Sequence, residues 1–277
     1  MSPRFRQSLM LLSMTLAFGY FVYVLVLMTQ QSRVIFAGQG IPMTKDLREE
    51  FPLANYTTLK SITGDVHACY LESDEDFNDG PIPIVAHGNA ETIGHWSEIS
   101  KSLLKTGLSI LLVEYPGYGG SEGVPSQASI AETFDHAYAW LEANHRLTNR
   151  KIIGIGRSIG SGPIVELTGR HRLDGLVLIS PFSTLRRMAW GMGAPGFLLK
   201  TKYDNVAGLK SFHGPTLLFH GTKDHIIPPS HSNRLTKTNA RVALQTLEVG
   251  HNDIWEDPDV IVEHLKTWLA EHDLWKG

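Results

Sequence analysis

A chain of 277 residues, 42% hydrophobic and 19% charged, is long enough for one sizeable globular core with an appendage. Its formal charge of −3 leaves no basic footprint for nucleic acid. The single cysteine, Cys69, excludes an intrachain disulfide framework, and no His-Glu-x-x-His or Cys-x-x-Cys spacing is present, so neither a metal nor a cofactor is expected.

The chain opens on a membrane-directed segment. No charged residue lies between Arg6 and Arg33, and residues 9–28 are almost wholly apolar. A helix of about 20 such residues covers the roughly 30 Å hydrocarbon core of a bilayer. We therefore expect an anchor over residues 1–33, with its transmembrane helix at about 8–28. Arg4, Arg6 and the amino terminus precede the helix, and only Arg33 follows closely. The positive-inside rule then places the N-terminus in the cytoplasm and the remaining domain in a periplasm, exterior or lumen. The alternative is a cleaved signal peptide. Its apolar core is usually about 7–15 residues, shorter than this one, and Ala37-Gly38 is the nearest weak cleavage site.

Residues 34–54 carry Gly38, Gly40 and Pro42 and read as a linker. Strands are expected at 56–63 and 66–72 around the turn signal Thr63-Gly64-Asp65. The acidic run Asp74-Glu75-Asp76 and the following Asn78-Asp79-Gly80 read as a solvated turn. Buried Cys69 belongs to the second strand.

A third strand at 82–86 ends in His87-Gly88-Asn89-Ala90, ahead of a helix at about 92–105. The glycine lets backbone come close to a substrate, and the Asn89 N–H is a candidate oxyanion donor there. His87 reads as a residue that shapes the loop. A strand at 108–113 leads into Glu114-Tyr115-Pro116-Gly117-Tyr118-Gly119-Gly120. Ile130, Phe134, Ala137, Tyr138 and Leu141 recur at helical spacing within 127–143, and Trp140 widens that stripe.

Next comes the stretch on which the chemistry turns. An apolar run at 151–155 is followed by Gly156-Arg157-Ser158-Ile159-Gly160 and a helix at 161–168. Strand, tight turn and helix with serine at the apex make a nucleophile elbow. The Ile159 N–H, at the start of the helix, is the second candidate oxyanion donor. The spacing Gly154-x-Gly156-x-x-x-Gly160 also resembles a degenerate dinucleotide-binding turn, but the turn lies past the midpoint of the chain, and Asp174 precedes the next apolar run instead of ending it.

Strands are expected at 175–179, 216–219 and 242–249, which makes a mostly parallel sheet with helices on both faces. The strand at 216–219 ends in His220-Gly221-Thr222-Lys223-Asp224, and the last strand ends in Gly250-His251-Asn252-Asp253. A serine hydroxyl needs a base, and that base needs an orienting carboxylate. Ser158, Asp224 and His251 supply all three after strand ends. His225 and Asp253 are the nearest rivals, and Asp253 is expected to serve the helix that follows.

These runs, together with Ser180-Pro181-Phe182, resemble the α/β-hydrolase superfamily over roughly residues 55–275 of a hydrolase domain expected at 55–277, and more narrowly its membrane-anchored serine hydrolases. Tyr115-Pro116 departs from the Tyr-Arg of many relatives. The resemblance implies an α/β-hydrolase fold, a Ser158-His251-Asp224 triad, and cleavage of an ester or thioester. It leaves open an acyltransferase or peptidase using the same triad, and a non-catalytic binding protein. Residues 183–212 stand where this superfamily carries its cap, which here is short. Met188, Trp190, Met192, Phe197, Leu198 and Leu199 within it either meet a lipid-like acyl chain or pack the cap onto the core.

Overall fold

The computed structural model describes residues 2–43, 45–73, 80–144 and 150–275. The acidic turn expected at Asp74-Glu75-Asp76 lies outside them. Among the described residues, eight strands form one sheet: β1 (Asn55–Ser61), β2 (Gly64–Leu71), β3 (Ile82–Ala86), β4 (Ile110–Val113), β5 (Ile152–Arg157), β6 (Gly175–Ile179), β7 (Thr216–Gly221) and β8 (Val242–Leu247). Their order is β1-β2-β4-β3-β5-β6-β7-β8. β1 and β2 pair antiparallel and β2 is antiparallel to β4, while every later pairing is parallel.

The parallel strands β3 to β6 are buried along their whole length because helices cover both faces. Alternate residues point to opposite faces. Ile84, Leu176 and Leu178 pack with α4 (Gln127–Asn144), α5 (Ser161–Leu167) and α7 (Asn205–Ser211). Val85, Ile153 and Val177 pack with α3 (Ser97–Leu104) and α9 (Pro258–Glu271). The stripe expected on α4 faces the sheet, with Phe134 and Leu141 fully buried. Burial of each such side chain stabilises the fold by about 1.5–3 kcal/mol.

Two expected boundaries move. The first hairpin turns at Ile62-Thr63, with Gly64 already paired to Ser61. The first helix, α1 (Pro3–Ile35), is longer than its apolar core: Ser2 caps its start, and the chain stays helical to Ile35. Of the stretch expected as a linker, Phe36 and Leu47 are buried, the latter in the short helix α2 (Leu47–Glu50). Gly38 N–H donates to the Tyr118 hydroxyl, and Gly40 N–H to the Gly117 carbonyl. α1 is long and apolar enough to cross a membrane.

Between β6 and β7 lies the cap: α6 (Leu185–Gly191), a turn of 3-10 helix at Gly196–Leu198, and α7. Trp190, Met192 and Phe197 are 51%, 52% and 66% exposed, so these three do not pack the cap onto the core. α8 (Ser230–Leu235) follows β7.

Candidate active site

Parallel strands present their carboxyl ends on one side of the sheet, and the loops leaving β3, β5, β7 and β8 meet there. Ser158 sits at the end of β5 with φ of 52°, a left-handed conformation that non-glycine residues seldom adopt. The tight elbow enforces it. A Cβ at Gly156 would come within 2.6 Å of the Gly160 carbonyl oxygen, and one at Gly160 would collide with the Ala86 carbonyl. Only glycine lets the turn close against β3.

His251 bridges two residues far apart in sequence. Its Nε2 lies 3.1 Å from Ser158 Oγ, and its Nδ1 lies 2.6 Å from Asp224 Oδ2. An ionised carboxylate only accepts hydrogen bonds, so the imidazole proton sits on Nδ1 and Nε2 is free to accept from the serine. Burial alone would raise the Asp224 pKa. Hydrogen bonds from His220, from His251 and from the Ile227 N–H outweigh it and hold the carboxyl well below the usual carboxylate range. Ile226 and Ile227 N–H groups donate to Asp224 Oδ1 at 2.9 and 2.8 Å, which fixes the carboxylate plane.

Asn89 and Ile159 line the same cleft as Ser158 and His251, a space of about 1260 Å³ out to the solvent boundary. Ile159 lies in the first turn of helix after Ser158, where N–H groups lack intrahelical partners. The rivals fall elsewhere. His225 is exposed. Asp253 accepts from Gly250 N–H at 3.2 Å and opens the short 3-10 helix Asp253–Trp255, whose first turn it occupies as expected, while α9 is capped by Asp257. His87 is fully buried, with Nε2 2.6 Å from Glu114 Oε1.

The fold and parts of the sequence recur in known proteins. A family model described as "Serine aminopeptidase, S33" matches residues 81–206. An uncharacterised protein of Mycobacterium tuberculosis is 32% identical over 202 residues, covering 69% of this chain and 70% of the relative. The α/β-hydrolase domain-containing protein 17B of Xenopus laevis is 29% identical over 68% of this chain and 66% of its own length. A solved esterase of Pyrococcus furiosus superposes with a TM-score of 0.64 at 18% identity, covering 81% of this chain and 92% of that one. The chain belongs to the α/β-hydrolase superfamily. At that level it is a hydrolase.

Other features of this α/β-hydrolase site are not visible from motif spacing. Arg157, inside the elbow, is 4% exposed. Its guanidinium pairs with Glu91, donates to the His251 carbonyl at 3.1 Å and reaches Asn252 Oδ1 at 3.4 Å. Glu91 in turn accepts from Gly88 N–H at 2.6 Å. Arg157 therefore ties the loop after β3 to the loop after β8 across the serine. Burial pulls its pKa down to about 10, which still leaves it charged at neutral pH.

A second brace comes from the cap. Asn205 Nδ2 donates to Ser161 Oγ and to the Phe182 carbonyl, and Ser161 Oγ donates to the Ser158 carbonyl at 2.7 Å. The remaining wall of the cleft is apolar and includes Val34 and Ile35 at the end of α1. Asn89 Nδ2 donates to the Val34 carbonyl at 3.3 Å, so the end of α1 touches the loop after β3. The only sequence signal for Arg157 was a charge placed between two glycines at the end of a buried strand.

Proposed function

We propose that this protein is a membrane-anchored serine hydrolase that cleaves an acyl ester or thioester through a Ser158-His251-Asp224 triad. The observation that carries the reading is the unbroken hydrogen-bond chain from Ser158 Oγ through both ring nitrogens of His251 to Asp224, at the floor of a cleft. His251 Nε2 takes the serine proton as Oγ bonds to the acyl carbon. Charge developing on the carbonyl oxygen is met by the Asn89 and Ile159 backbone N–H groups, and loss of one such donor typically costs about 10²–10³ in rate. Collapse breaks the bond to the leaving alcohol or thiol, which departs with the proton held by His251. Water, deprotonated by the same ring, then releases the acid and restores the serine. Asp224 keeps the imidazole tautomer and stabilises the imidazolium.

An ester or thioester is favoured over a free-amino-terminal peptide by the state of the cleft's carboxylates. Recognition of an ammonium group wants an unpaired carboxylate. Glu91 lines the cleft, yet it is committed to Arg157 and to Gly88 N–H. The apolar α1 serves as a single-pass anchor with the N-terminus cytoplasmic, an orientation supported by Arg4 and Arg6 ahead of it. In domain terms, residues 1–33 are the anchor, 34–54 join it to the hydrolase domain of residues 55–277, and the cap covers about 183–212.

The test is labelling with a fluorophosphonate probe on the wild type and on Ser158→Ala. Labelling of the wild type that vanishes in the variant is the expected result. Persistent labelling of the variant would move the nucleophile to another residue, and a folded wild type that never labels would point to a binding protein.

A further inference from the structure

The cleft above Ser158 is not closed on its apolar side. A groove of about 620 Å³, counted out into open solvent, runs from it along the seam between α1 and the cap. Val34, Ile35, Leu185, Met188 and Met192 line both spaces, so the two are continuous. Val24, Leu27, Gln31 and Ile35 recur at spacings of three and four residues and form the face of α1 turned toward the cap. Around the rest of its apolar length α1 is exposed.

The level at which the cap meets α1 is informative. Tyr23 Oη donates to the Met192 carbonyl at 2.6 Å, and Tyr20 Oη to the Gly193 carbonyl at 3.1 Å. At about 1.5 Å rise per residue, Tyr23 and Tyr20 lie about 8 and 12 Å inside the apolar run that ends at Met28. With α1 in a bilayer, the tip of the cap dips below the headgroups, and the exposed Trp190 and Phe197 meet lipid instead of water. Val34 and Ile35, by the same rise, stand about 9–11 Å beyond Met28, at headgroup level. The cleft thus opens where the ester groups of bilayer lipids lie.

We propose that the groove between α1 and the cap receives the acyl chain of an ester lipid resident in the bilayer, which reaches Ser158 sideways, from within the membrane. The groove walls favour a hydrocarbon chain over a peptide. Among the described residues Gln31 is their one polar side chain, and both ends of its amide are engaged: Oε1 accepts from Lys200 N–H at 2.7 Å, and Nε2 donates to the Met28 carbonyl at 3.0 Å. A peptide backbone placed there would leave its own polar groups without partners. The inference rests on Ser158 acting as the nucleophile of an esterase anchored by α1, and adds where the acyl chain comes from and where it lies.

Burial of each methylene is worth about fourfold in kcat/KM, so a side chain that displaces two of them from the groove costs more than tenfold on long chains alone. The full-length protein would be reconstituted in phosphatidylcholine vesicles and given 4-methylumbelliferyl palmitate in the bilayer or 4-methylumbelliferyl butyrate in solution. Ala189→Trp fills the groove from the cap side. Leu27→Trp fills it from the half-exposed face of α1, where the fold of the hydrolase domain is not at stake. The expected result is that each variant lowers the palmitate-to-butyrate ratio of kcat/KM by tenfold or more. A ratio unchanged within twofold in both variants overturns the proposal, as does a wild type that cleaves butyrate but not palmitate. Butyrate cleavage that survives in Ser158→Ala would instead sink the underlying serine reading, and with it this one.

Discussion

Around Ser158 the buried charged side chains hold one another. Asp224 is met by His251, His220 and two backbone N–H groups, Arg157 by Glu91 and the loop after β8, and Glu114 by His87. Along the seam of α1 and the cap the walls are almost wholly apolar, and Trp190 and Phe197 project outward. The first region is fixed by directional bonds in a low-dielectric setting, where a lost partner is costly. The second is fixed by little beyond shape and the few hydrogen bonds of Tyr20, Tyr23 and Gln31. Reacting atoms must be held within fractions of an ångström, whereas an acyl chain needs only an apolar path. Under the proposed function, the contrast gives chemistry to one region and substrate selection to the other.

The largest test of that contrast is Asp224→Asn. The amide leaves the fold intact but can reverse the imidazole tautomer, so kcat should fall by about 10⁴ for long and short esters alike, with an unchanged circular dichroism spectrum. A loss confined to long chains would break the division of labour. Next is Arg157→Met, which strips Glu91 of its buried partner. Breaking such a pair costs about 3–5 kcal/mol, readable as a lower urea midpoint, and the loosened loops should lower kcat by about 10–100-fold. Unaltered stability would mean that Arg157 does not brace the site.

The smallest effect is on pH dependence. Burial, together with the positive charge of Arg187, pulls His231 down to about 4, and its Nδ1 accepts the Ser183 N–H at 2.9 Å. The unfolded chain binds a proton below about pH 6.5 that the folded chain refuses. Stability from this group is therefore complete above pH 6.5 and is lost as the pH falls toward 4, by on the order of 3 kcal/mol. Thermal melts of His231→Asn should show a shallower decline than the wild type over that window, and parallel curves would remove His231 from the account.

The strands and the elbow were legible in the sequence because burial on both faces writes itself as short apolar runs, and a strained serine writes itself as flanking glycines. The expectation of Ser158, Asp224 and His251 came from loops that leave such runs within a few residues, and the fold brings the three within hydrogen-bond reach. Arg157 with Glu91 was not, since two charges 66 positions apart carry no periodic signal. The helical extension to Ile35 was hidden as well, because residues 29–35 are helical without being apolar enough to read as part of the span. The cap's apolar residues showed their composition but not their direction. Only the fold separates Met188, which packs on the core, from Trp190 and Phe197, which do not.

The short passage from α1 into the sheet has a kinetic consequence. With Phe36 buried, Gly38 and Gly40 hydrogen-bonded to Tyr118 and Gly117, and Gly119 N–H bonded to the Ile41 carbonyl, the tether has almost no slack. If α1 is the anchor proposed above, a hydrolase held so closely to it cannot swing out to search the surrounding volume. On a membrane it would sample a plane, and its rate would follow the mole fraction of substrate in that surface. Dilution with inert lipid would then slow it, while dilution with buffer would not.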